Sequence, residues 1–202
     1  MRIGLLGAGR IATALAAQLI KAGHEVMLSN SGDRHILAER SAALGAGAGT
    51  PSEAAAFGDV VVIAVRWDDV PTVLTEVGDL LDGKIVLDVT NPLGEIDGRL
   101  QLLPFDAPTA AERTAQLVPG ARVVKAFNHY LAEVLAQDPV TSNGRRVALI
   151  AGDDHAAKLA VAELADSAGF DPIDTGSLAA GGALFEAGGP INQTPLLSLR
   201  HA

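Results

Sequence analysis

The chain has 202 residues, nearly half of them apolar and few aromatic, with a net charge of −9 and no cysteine. Such a length suits one domain with a sizeable core, the acidity argues against nucleic acid or an anionic membrane as partners, and the lack of cysteine excludes disulfides and thiolate chemistry. No apolar run reaches the roughly 18–20 residues that span a bilayer, and Met1 leads straight into an apolar strand, so no leader is expected and the cytoplasm is the default location.

Arg2 to Leu6 predicts a buried strand. Gly7-Ala8-Gly9-Arg10-Ile11-Ala12 follows at once in the form G-x-G-x-x-A, and Thr13 to Ala22 reads as an amphipathic helix closed by Gly23. His24 to Ser29 is the next strand. In this strand–turn–helix–strand setting the pattern predicts a dinucleotide site. Gly7 permits the tight turn, Gly9 lets the backbone approach a pyrophosphate, and Ala12 allows close helix packing. Arg10 and Ile11 complete the loop, and the N-terminus of the helix that follows offers free N–H groups to phosphate.

The tip of the second strand reads Ser29-Asn30-Ser31-Gly32-Asp33-Arg34. An NAD site usually ends that strand with a carboxylate on the ribose 2′-OH. Here Ser29, Asn30 and Ser31 can donate to a 2′-phosphate and Arg34 can pair with it. Asp33 comes late for a ribose ligand and reads as a helix N-cap. The expected cofactor is therefore NADP(H).

Arg34 to Leu44 is a predicted helix, Gly45 to Thr50 a connection hiding a short strand, and Pro51-Ser52-Glu53 the start of another helix. Val60 to Val65 is a β-branched run suited to a parallel strand covered on both faces. After Arg66 to Asp69, Val70 to Leu81 reads as a helix and Lys84 to Val89 as a strand ending in Thr90-Asn91-Pro92. Gly94 to Pro108 is the least regular stretch and is read as a lid or flap. Thr109 to Leu117 has a capping box with Glu112. Arg122 to Phe127 is a strand tipped by Asn128-His129-Tyr130, and Leu131 to Ala136 is a short helix. Arg146 to Ala151, Asp154 to Ala168 and Phe170 to Asp174 form strand, helix and strand, and Gly176 to Gly189 is partly helical.

This alternation implies an α/β fold with a doubly wound, mostly parallel sheet. Ligands of such sheets lie beyond the carboxyl ends of the strands. Asn91 and Asn128 are candidates for the nicotinamide carboxamide or a substrate carbonyl, with Pro92 fixing the loop. His129 is the candidate catalytic residue, a proton donor if the acceptor is a carbonyl or imine; otherwise it is a wall of the pocket. Trp67 either stacks on a ring or packs at the sheet edge. His24, His129 and His155 lack metal-ligand spacing, so no metal is expected.

Five motifs in order resemble the NADP oxidoreductases dependent on coenzyme F420: Gly7 to Ala12, Ser29-Asn30-Ser31, Ala64-Val65-Arg66-Trp67, Asp88 to Pro92, and Val124-Lys125-Ala126-Phe127-Asn128. The resemblance reaches Leu184-Phe185-Glu186. It implies one Rossmann-type domain over residues 1–202, with a core to about residue 175 and a small C-terminal elaboration. It places Ala64, Val65 and Arg66 among the cofactor-binding residues. It further implies hydride exchange between NADPH and a deazaflavin (coenzyme F420) or flavin acceptor, in a homodimer. This chain departs from the family where Gly32 and Asp33 separate the strand-tip serine from Arg34, and where Arg66 replaces a proline before Trp67. The alternatives are an NADPH-dependent reductase of a small carbonyl or imine, and a non-catalytic NADP(H)-binding regulator.

Overall fold

The computed structural model describes residues 1–194 and 196–199. β1 (Arg2–Leu6) leads through the glycine loop into α1 (Arg10–Lys21), then β2 (Glu25–Ser29), α2 (Arg34–Leu44), β3 (Gly47–Gly49) and α3 (Pro51–Phe57). β4 (Val60–Ile63), α4 (Val70–Val77) and β5 (Ile85–Asp88) follow. Next come β6 (Leu93–Ile96), β7 (Arg99–Leu102), α5 (Ala110–Leu117), β8 (Arg122–Ala126) and α6 (Ala132–Leu135). β9 (Gly144–Gly152), α7 (His155–Ser167) and β10 (Asp171–Gly176) precede a π-helical turn, Leu178–Gly182, that runs into α8 (Ala183–Phe185); β11 (Leu197–Leu199) comes last.

Local sequence explains where the helices begin. The Asp33 carboxylate accepts from the N–H groups of His35 and Ile36 and starts α2. Thr50 and Glu53 close a reciprocal capping box on α3, and Thr109 caps α5 by accepting from the Glu112 N–H. Asp154 does the same for α7. α1 starts earlier than its apolar pattern predicts, with Gly9 as N-cap.

The sheet runs β3-β2-β1-β4-β5-β8-β9-β10, with β11 paired to β9. From β3 to β8 every pair is parallel. β9 is antiparallel to β8, and β10 is parallel to β9. A parallel return needs a long crossover, commonly a full helix; the segment between β8 and β9 holds only the four-residue α6. Alternate strand residues feed two core layers. Ile3, Leu5, Val62, Leu87 and Val124 pack against α1 and α7, whereas Leu6, Val61, Ile63, Val86 and Val123 pack against α3, α4 and α5.

Two elements differ from the sequence reading. Within the predicted flap, β6 and β7 form an antiparallel hairpin from Leu93↔Leu102 to Ile96↔Arg99. Its turn is Asp97-Gly98, with φ of 51° and 72°, the positive pair that a tight two-residue hairpin turn requires. β11 had no counterpart in the sequence reading, since its pattern is only Leu197-Ser198-Leu199. No helix among the described residues is long and apolar enough to cross a membrane.

Candidate functional site

β1 and β4 lie side by side, and the chain runs outward from them in opposite directions. Ligands of open α/β sheets bind at such a switch point. Two clefts open there. One, of about 450 Å³, is walled by the glycine loop, by Asn30 and Ser31, and by Val73 and Glu76 of α4. The other, of about 600 Å³, runs past Ile11, Trp67 and Asn91 to Leu100 of the hairpin and Tyr130. Both are bordered by Gly9, Ala64, Val65 and Arg66, so they form one trough.

At its first end the backbone supplies the chemistry. Gly7 has φ of 124°, and a Cβ there would lie 2.4 Å from the Ala64 carbonyl oxygen, so no other residue fits this turn. The Gly7 N–H donates to the Ser29 carbonyl at 3.0 Å, fastening the loop to the tip of β2. Above Gly9 a Cβ would meet nothing within 4 Å. Gly9 is also the N-cap of α1, and no side chain caps that helix. The first-turn N–H groups and the positive helix end therefore have open space before them, which fits a diphosphate. The outward side of Arg10 pairs with Glu133 of α6 across the trough mouth.

The tip of β2 is only partly as expected. Asn30 and Ser31 border the trough, and Arg34 is exposed at the start of α2. Ser29 is corrected: it is fully buried, and its hydroxyl donates to the Leu5 carbonyl at 2.8 Å. Its side chain points into the sheet because strand residues alternate in direction. Arg40, not singled out from sequence, donates through Nη1 to the Ala8 carbonyl.

At the second end, buried side chains supply the framework. Asp88 and Lys125 are neighbours in register on β5 and β8, and both are fully buried. Lys125 Nζ donates to Asp88 Oδ2 at 3.1 Å and to the Thr90 carbonyl at 2.5 Å. Asp88 Oδ1 accepts from the Thr90 N–H and hydroxyl, and Oδ2 also accepts from the Thr114 hydroxyl at 2.9 Å. Two charges inside a sheet covered on both faces persist only when paired and hydrogen-bonded. Their partners here fix the Thr90-Asn91 tip.

The adjacent amides also hold the C-terminal segment. Asn91 Nδ2 donates to the Asn128 carbonyl at 2.7 Å, and Asn91 Oδ1 accepts from Asn128 Nδ2 and from the Ala187 N–H. Asn128 Nδ2 also donates to the Phe185 carbonyl. Both residues border the trough, yet only Asn128 Oδ1 is left buried without a partner. Pro92 is buried and accepts from the Leu103 N–H at the root of the hairpin rather than lining the trough. Phe127, at φ of 61°, holds the turn that brings Asn128 under this segment, a conformation that costs on the order of 1–3 kcal/mol. Glu186 accepts from the Ala110 N–H at 2.9 Å; burial raises its pKa, with the Lys125 charge opposing.

His129 does not face the trough. It is 1% exposed, packed on Tyr130 and Phe185. Its Nε2 lies 3.1 Å from the Val147 carbonyl, which can only accept, so Nε2 carries the proton and Nδ1 is buried without a partner. Burial pushes its pKa down to about 4, against the Val147 hydrogen bond. The Tyr130 hydroxyl donates to the same carbonyl at 2.7 Å. Trp67 is 8% exposed and meets Phe105 edge to face at 5.6 Å, so it packs under the hairpin while bordering the trough. Leu93 and Leu100 are trough residues that the sequence reading missed; the Asp97-Gly98 turn between them was the available signal. Among the described residues no cluster of three or more His, Asp or Glu could hold a metal ion.

A family model described as NADP oxidoreductase, coenzyme F420-dependent, matches residues 2–92, from β1 to the loop beyond β5. The chain is 31% identical over 193 residues to the F420-dependent NADP reductase of Methanothermobacter marburgensis, covering 88% of this chain and 85% of that protein. It is 36% identical over 181 residues to metalloreductase STEAP3 of Rattus norvegicus, covering 88% of this chain and 34% of that protein. The chain thus spans about a third of the length of the curated metalloreductases it matches. The crystal structure of a hypothetical protein from Sinorhizobium meliloti superposes with a TM-score of 0.87 at 35% identity, covering 98% of this chain and 96% of that one.

Proposed function

The chain belongs to the family of the F420-dependent NADP reductases, and from that premise we propose that it transfers a hydride between NADPH and a deazaflavin or flavin ring. The observation that carries this reading is the single trough, in which an uncapped helix end and an apolar chamber meet at Gly9, Ala64 and Val65. Bound NADPH supplies the hydride. Gly7, Ala8 and Gly9 would let the diphosphate approach α1, whose free N–H groups would hold it. Ser31 and Arg34 would hold the ribose 2′-phosphate. Ile11, Val89, Leu93 and Leu100 wall the chamber and keep water from the second ring.

A ring-to-ring transfer needs two rings held in contact and no protein acid or base. The burial of His129 and the engagement of the Tyr130 hydroxyl favour it over reduction of a carbonyl or imine, which needs a proton donor. Single-turnover oxidation of NADPH against deazaflavin, flavin and carbonyl acceptors tests the reading. Fast oxidation by a deazaflavin or flavin, with His129→Ala slowing the chemical step less than about tenfold, is the expected result. Turnover with carbonyls alone, or a loss on the order of 10²–10⁴ at His129, would overturn it. Binding without turnover on any acceptor would leave the regulator reading.

A further inference from the structure

We propose that Arg40 is a second cationic anchor for the 2′-phosphate of NADPH; the role rests on the functional reading above. Arg40 lies within α2 but its guanidinium turns back to the glycine loop, where Nη1 donates to the Ala8 carbonyl. Ala8 borders the trough together with Asn30 and Ser31. The two tips are fastened to each other, since Gly7 bridges to Ser29. Ala8, Asn30 and Ser31 therefore line the same end of the trough. A guanidinium held on Ala8 stands at the rim of the adenosine end, beside the tip where a dinucleotide site meets the ribose 2′ position.

The charges around α2 leave Arg40 free for an anion. Arg34 has Asp33 next to it and acts on Glu53, whose carboxyl is held low chiefly by the Thr50 N–H and hydroxyl, with Arg34 contributing. Glu39, beside Arg40 in sequence, is instead turned to His35, 3.4 Å away. Among the described residues neither Arg40 nor Arg34 makes an ion pair, but only Arg40 is held on the glycine loop by a hydrogen bond. A guanidinium carries five N–H donors, and the contact with Ala8 leaves the rest of the fork for a phosphate monoester. Ser29 cannot share the task, because its hydroxyl is committed to Leu5.

The test uses 2′,5′-ADP and 5′-AMP as probes of the adenosine end, with NADPH and NADH beside them. Dissociation constants are measured for the parent chain, Arg40→Gln, Arg40→Lys and Arg34→Gln. Arg40→Gln is expected to weaken 2′,5′-ADP and NADPH on the order of 10- to 100-fold, the range for a hydrogen-bonded charge, and to leave 5′-AMP and NADH unchanged. Arg40→Lys should recover part of the loss, since the charge remains and the fork does not. Arg40 is exposed, so the variants should keep the parent unfolding midpoint. Equal weakening of both probes would mean that Arg40 only shapes the loop through Ala8, and would overturn the proposal. An unchanged preference for 2′,5′-ADP in Arg40→Gln would overturn it while leaving the NADP reading intact. A parent chain with no preference for 2′,5′-ADP over 5′-AMP would overturn both.

Discussion

The two ends of the trough are built in opposite ways. At the adenosine end the groups facing a ligand are backbone N–H groups and glycines from one short run, Gly7 to Ile11, with open space above Gly9. At the acceptor end the framework is made of side chains far apart in sequence: Asp88 with Lys125, Asn91 with Asn128, and both amides with the 185–187 segment. The first end leaves its hydrogen-bonding groups free for a ligand. The second spends nearly all of them inside the protein, so what remains for an acceptor is shape and apolar surface. Backbone donors can wait in water at little cost, whereas buried charges and amides must be paired in the folded state.

Substitutions should therefore separate stability from binding according to the end they touch. The largest expected effect is at the acceptor end. Lys125→Met strands the Asp88 carboxylate and should cost roughly 3–5 kcal/mol, the range for removing one partner of a buried pair. Urea unfolding checks it, and adding Asp88→Leu should restore part of the loss. A cost below about 1 kcal/mol would put the pair in the class of exposed ion pairs and erase the contrast.

Acid should act on the same end. His129 has a folded pKa of about 4, below its ordinary value of 6.5, because it is buried. Protonation therefore favours the unfolded chain. The stability due to the neutral ring is full above pH 6.5 and is lost as the pH falls towards 4, an effect of about 3 kcal/mol. Unfolding free energies measured from neutral to acid pH for the parent and His129→Gln check this through their slopes. Identical slopes would show that another group governs acid sensitivity.

The adenosine end should respond in the reverse manner. In Gly9→Val the added side chain enters space that is empty within 4 Å of the first carbon. The unfolding midpoint should stay in place while NADPH binding weakens by roughly 2–3 kcal/mol, the scale of charge-assisted hydrogen bonds to phosphate. Calorimetric titration and a melting curve on one sample decide it. Normal NADPH affinity would remove the glycine loop from the cofactor site.

The smallest effect concerns the lock on the C-terminal segment. Asn91→Ala removes the acceptor of the Ala187 N–H and should cost about 1–2 kcal/mol. Hydrogen exchange at Ala187 should accelerate while exchange in β1 and α1 does not change. Exchange that stays slow would mean that packing of Phe185, not the amides, holds this segment.

Much of the fold was legible in order along the chain. Asp33, Thr50, Thr109 and Asp154 mark helix starts through side chains that reach N–H groups a few residues away. The β6–β7 hairpin was equally local, and Asp97-Gly98 announced it; the polar, Gly- and Pro-rich surroundings concealed that signal. Ser29 was misread because a polar strand-tip residue looks like a ligand until the register shows its hydroxyl turned to Leu5. His129 was misread for a related reason, since a strand tip can point into a cleft or beneath an overlying segment; Asn91 and Asn128 do both, bordering the trough and holding the segment above it.

By itself the sequence determined the glycine loop, the caps, the mostly parallel character of the sheet and the missing acid at the tip of β2. Each rests on backbone geometry or on hydrogen bonds that span a few residues, so neighbouring letters suffice to state it. Only the tertiary structure decided that Lys125 pairs with Asp88, that Arg40 returns to Ala8, and that the 185–187 segment closes over the inner strand tips. A lysine and an aspartate within buried strands signal that each needs a partner. Which partner each finds depends on strand order, because β5 and β8 become neighbours only when the hairpin and α5 are looped out between them.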